Sequence, residues 1–210
     1  MGLFRRSAPP PAVERIFEKL LRLIQDDSTQ NETLHPSIRE RVIGGASVDQ
    51  IAGATGEFGR TLTNPVPVNG PVGEISYLSR LRTSAGHRIF GHRLGAIQNV
   101  DVFETVSFDG AVWDILMLSL YHPRKSRMAP GGYWLESPEK VNTLFSATND
   151  FVDPFPSSLG QALRATGEKM GAPVFMPPSE LQGTLGVKPF RRPQDHQEKV
   201  ATLINYMRSR

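Results

Sequence analysis

The chain of 210 residues contains no cysteine. That excludes disulfides, thiolate metal sites and a cysteine nucleophile, while leaving the compartment open. Long apolar runs are missing too. The longest, Ile115 to Leu118, is far short of the roughly 18 residues that span a bilayer. "MGLFRRSAPPP" has no apolar signal-peptide core, and Ser7 falls one place too late for a myristoylation pattern. These absences predict a cytoplasmic protein without integral membrane insertion. Residues 1–11 read as a disordered tail, whose Leu3 to Arg6 stretch is the candidate for a weak membrane contact.

Acids are scarce locally rather than globally. Net charge is only +3, yet no acid occurs between Glu74 and Asp101, where Arg80, Arg82, Arg88 and Arg93 fall, or between Asp114 and Glu136. The second window ends a strongly apolar segment with "YHPRKSRMAPGGYW", carrying His122, Arg124, Lys125 and Arg127. Positive charge therefore gathers in the middle of the chain, which is where an anionic partner would be sought.

Chemical motifs are missing as well. No H-E-x-x-H spacing occurs among the five histidines, and His87 and His92 would face opposite sides of one strand. There is no G-x-S-x-G elbow, and the glycines of "GGASVDQIAGATGEFG" lack the lysine of a phosphate-binding loop. No metal or other cofactor is expected, and no catalytic residue is assigned. A general acid–base pair could combine His122 or His92 with Asp101, Glu104 or Asp114, but nothing in the sequence brings them within reach. Asp114 stands on an otherwise apolar strand, and the expectation is a salt bridge to a strand arginine or exposure near the hairpin turn.

What the sequence does contain is periodicity. Val13, Ile16, Phe17, Leu20, Leu21 and Ile24 recur at helical spacing, and polar "QDDSTQNET" closes that helix. Ser37 to Ile43 reads as a short helix stopped by Gly44-Gly45, and Ser47 with Gln50 as a capping box opening another. "NPVPVNGPVG" reads as an extended connector. Four strands are expected at Glu74–Thr83, His87–Ile97, Val100–Phe108 and Ala111–Tyr121, joined by "SAG", "QN" and "DG" turns. Because Ala111–Tyr121 is apolar on both faces, "GYWLE" is expected to return beside it as a fifth strand. Helices follow at Ser137 with Pro138, Ser157–Met170, a short turn at Ser179–Gly183, and Gln194–Arg210 with a Val200, Leu203, Ile204 and Met207 stripe.

The fold class is α+β: a four- to five-stranded antiparallel meander flanked by N-terminal and C-terminal helices. Its segments are 12–60 helical, 61–136 sheet and 137–210 helical, the last forming one unit with the sheet. The expected function is a non-catalytic interaction module that binds an acidic protein partner through a basic sheet end. Nucleic-acid or phosphate-ligand binding is the alternative, and an unrecognised hydrolase the third. The partner-binding residues are Asn64, Asn69, Arg88, Arg93, His122, Arg124, Lys125 and Arg127, because strand directions bring the Asn64–Gly73 connector and the His122 loop to one edge.

Overall fold

A computed structural model describes residues 12–141, 146–147 and 192–209. Three helices open the chain: α1 (Ala12–Gln25), α2 (Asp27–Glu32) and α3 (Pro36–Ile43). The polar stretch after α1 is itself a helix, since Asp26 caps it by accepting from the backbone N–H groups of Ser28 and Thr29. Buried Gln30 donates to the carbonyls of Leu23 and Ile24, supplying partners that the end of α1 lacks internally. α3 starts at Pro36 and stops at Gly44, as its sequence indicates. The expected capping box at Ser47 opens no helix. Gln50 is instead drawn to the side chain of Asn64 and Asp49 to two arginines.

The largest departure from expectation is at 74–83. Residues Gly70–Arg80 form α4, and only β2 (Leu81–Thr83) is extended. Pro71 lies in the first turn, where its missing N–H is no loss, and Gly70 supplies the turn into the helix with φ of 82°. The apolar run from Ile75 to Leu81 fits either period, and the burial of Tyr77, Leu78 and Leu81 against the sheet decides it.

The main sheet is β1 (Val66–Pro67), β5 (Trp113–Ser119), β4 (Val100–Ser107), β3 (Ile89–Ile97) and β7 (Ser146–Ala147), in that spatial order. β3, β4 and β5 form the antiparallel meander, but β1 and β7 add in parallel, so the sheet is mixed. "GYWLE" does return as β6 (Tyr133–Leu135), yet it pairs with β2 in a separate two-stranded ribbon. The edge of β5 is covered by β1 and by the 57–60 loop, where Gly59 O accepts the Met117 N–H. Ser137 and Pro138 begin a single 3₁₀ turn, Pro138–Lys140, and α5 (Gln194–Arg208) closes the described chain. The expected tail at 1–11 and the expected helices at 157–170 and 179–183 lie outside the described residues.

Alternation along β5 sorts the two faces. Leu116 and Leu118 join Phe103, Val66, Tyr77 and Leu78 in the core under α4. Trp113, Ile115 and Met117 sit on the opposite face, in register with Val106, Glu104 and Val102. α5 packs over that second face. There Val200 is buried, and a β-carbon at Gly95 would meet Met207 Sδ at 2.7 Å. Among the described residues no helix is long and apolar enough to cross a membrane.

Candidate functional site

The sheet end collects much of what the sequence singles out. Val68 N–H donates to Ser119 O, His122 N–H to Val68 O, and Leu120 N–H to Asn99 O, so the connector, the β3–β4 turn and the 122–127 loop converge. Asn69 and Lys125 meet on Asp27: the Asn69 amide donates to its carbonyl at 3.1 Å and Lys125 Nζ to its Oδ1 at 2.5 Å. Asn64 lies deeper, bonded to Gln50 and to Gly56 O. Arg88 does not join them. Its carbonyl accepts from Phe108 N–H at the other end of the sheet.

The cations at that end are not short of acids, which arrive from distant sequence. Arg124 donates to Asp49 at 2.6 Å, Arg127 reaches the same carboxylate, and Arg93 forks onto Asp101 at 2.6 and 2.8 Å. Lys125 is buried against Asp27 and Gln30, and burial lowers its pKa against the pull of Asp27. Arg127 keeps its side chain 73% exposed, so its pair stays in water, whereas half-exposed Arg93 caps an Asp101 carboxylate that is itself buried. His122 Nε2 lies 3.0 Å from Ser119 Oγ, and burial lowers its pKa and favours the neutral ring. Behind Arg93, Glu74 is buried beside Asp101. Burial first, then the Asp101 charge, push its carboxyl up to about 9.

A second cluster was not anticipated. Glu104, fully buried on β4, accepts from His92 Nε2 at 2.7 Å, His196 Nε2 at 3.0 Å, and Arg192 Nε and Nη2 at 2.6 and 2.8 Å. Burial alone would raise its pKa. The donors from His196, His92 and Arg192 outweigh that and hold it at about 2. His92 and Glu104, which nothing in the sequence brings within reach, are thus hydrogen-bonded, inside a buried cluster. Among the described residues no three His, Asp or Glu side chains form a group able to hold a metal ion.

Beside this cluster, between α5 and β5, runs a groove of about 670 Å³. Trp113, Ile115, Met117 and Leu203 supply its apolar lining, and His196 joins them from the first turn of α5. The His196 ring is tilted against Trp113 at 5.5 Å, and the Arg192 guanidinium lies 5.9 Å from the same indole. At the β5 margin Arg60 forks onto Asp114 at 2.8 to 3.1 Å, while Asp114 also accepts the Ile115 N–H. The partner of Asp114 is thus a loop arginine, not a strand arginine. With that carboxylate on Ile115 and Gly59 on Met117, outward donors of the β5 edge are already satisfied.

Sequence reasoning missed His196, Arg192, Arg60 and Glu104 as a site. A signal existed for two of them. His196 continues the Val200 stripe one turn back, and Glu104 alternates with Val102 and Val106 on an apolar face.

The chain matches no protein-family model, no curated protein and no solved structure.

Proposed function

We propose that the protein is a non-catalytic interaction module and that the groove between α5 and β5 receives a segment of a partner protein. The observation supporting this is the groove that Ile115, Met117 and Leu203 line, among the described residues, beside the Glu104 cluster. Enclosed small-molecule sites bury most of their ligand, whereas an open groove suits a chain segment laid along it. A photo-crosslinking residue at Thr202, in the groove wall, tests the reading against one at Glu32 on α2. Crosslinks from Thr202 should map to one contiguous segment of one protein, and Leu203→Asp should abolish them with α5 still protected from amide exchange. Equal labelling from both positions would overturn it.

A second reading keeps the acidic partner at the sheet end, favoured by the exposure of Arg127 and Arg93. Exposed ion pairs contribute little, so Arg127 can change partners at small cost, while Arg93 would have to leave the buried Asp101 carboxylate. Arg127→Glu should then weaken capture of an acidic partner without lowering the melting temperature. Nucleic acid in the same place would bind with steep salt dependence in a filter assay, and negligible retention at low salt would remove it.

A further inference from the structure

The groove's chemistry goes further, on the premise that it is a docking site. Glu104 is ionised and its oxygens accept four N–H bonds, so it offers its neighbours no proton. The hydrogen in the His196–Glu104 contact must therefore reside on His196 Nε2. A neutral imidazole carries a single N–H, which makes Nδ1 an acceptor. Among the described residues nothing bonds Nδ1, and the ring lines the groove. In the neutral form of the ring the groove therefore holds a proton acceptor, its tautomer set by the contact with a buried carboxylate.

We infer that the groove selects a partner segment whose tyrosine places its ring on the apolar floor and donates its hydroxyl to His196 Nδ1. Tyrosine suits both demands: a large apolar body covers Ile115 and Met117, and its polar tip needs a buried partner. Serine or threonine would bring the donor but leave the floor wet. An ionised phosphate or carboxylate brings no hydrogen for Nδ1, and the wall charges are mixed, Asp195 and Glu198 standing with Lys199 and Arg60 while Arg192 pairs Glu104. The groove therefore favours a neutral donor on an apolar ring over an anionic one.

The test uses the full chain with ¹⁵N-labelled histidine at pH 8, titrated with three probes: N-acetyltyrosinamide, N-acetylphenylalaninamide and N-acetyl-O-phosphotyrosinamide. Long-range proton–nitrogen correlations report the tautomer directly, without any variant that could loosen α5. The free protein should show His196 protonated at Nε2. Tyrosinamide should shift the Nδ1 resonance and bind about fivefold more tightly than phenylalaninamide, the ratio that one net hydrogen bond confers. Phosphotyrosinamide should bind most weakly. Protonation at Nδ1, or phosphotyrosinamide binding best, would overturn the inference. If tyrosinamide and phenylalaninamide bind equally tightly and shift the His196 ring signals alike, docking stands and donor selection falls. If no probe perturbs them, the docking reading falls and the inference with it.

Discussion

Lys125 Nζ donates to Asp27 Oδ1 at 2.5 Å across 98 residues of sequence, and this one contact changes what a cluster of cations at the sheet end means. A buried ammonium held by a carboxylate and by Gln30 joins the 122–127 loop to α2. Its role is attachment, whereas Arg127, mostly in water, is a surface charge. Lys125→Glu should therefore destabilise the fold by about 3–5 kcal/mol, the usual result of opposing a buried charge with a like one. Arg127→Glu should stay within about 0.5 kcal/mol. Urea denaturation of the two variants checks the contrast.

Glu74 should make the protein less stable as pH rises. Its folded pKa, about 9, lies above its ordinary value of 4.5, so the folded state holds a proton that the unfolded state releases between those values. The stabilising contribution is complete below about pH 4.5 and falls away toward pH 9. Glu74→Gln removes the titration. The variant's melting temperature should exceed the parent's at pH 8, and the two should converge near pH 5. A parent curve equally steep with and without Glu74 would contradict this.

Glu104→Gln removes the carboxylate charge that Arg192 forks onto and turns one of the two oxygens that the imidazoles use into an amide nitrogen. The loss should be about 3–5 kcal/mol. It should be concentrated in α5, since Arg192 and His196 enter the cluster from that end of the chain. Amide exchange should accelerate at Val200 and Leu203 well before it does at Leu116 or Leu118 in the core beneath α4.

Asn69→Ala should cost about 1–3 kcal/mol, because the buried amide bonds Asp27 O and the side chain of Asn31. Binding by the groove should be unaffected. Differential scanning calorimetry gives the first quantity and the crosslinking yield at Thr202 the second.

The β3–β5 meander was legible because its turns are short and its strands alternate, with Asp109-Gly110 as the hairpin signal between β4 and β5. The stripe of α5 and the stop of α3 at Gly44 were legible for similar local reasons. α4 was not, since Ile75 to Leu81 satisfies both periods and packing against Phe103 and Leu118 decides between them. The parallel pairing of β1 with β5 was equally hidden, resting as it does on a two-residue contact. The sites depended on partners far away in sequence. Arg124 and Asp49 are 75 residues apart, and His196 and Glu104 are 92 apart. Windows scanned for acids beside bases show such cations as unpaired, although the folded chain pairs them.

The reach of the Glu104 cluster also sets an order of events during synthesis. Glu104 leaves the ribosome 92 residues ahead of His196, an interval of roughly 5–18 s at about 5–20 residues per second. For that interval the meander can form its core face under α4, but its other face carries a carboxylate whose Arg192 and His196 partners do not yet exist. Burying that charge early would be costly, so the half-made sheet is kept wet on one side until the chain supplies α5. A chain interrupted before residue 192 would leave Glu104 without its Arg192 and His196 donors, so α5 is the step that settles the charge on the sheet's second face.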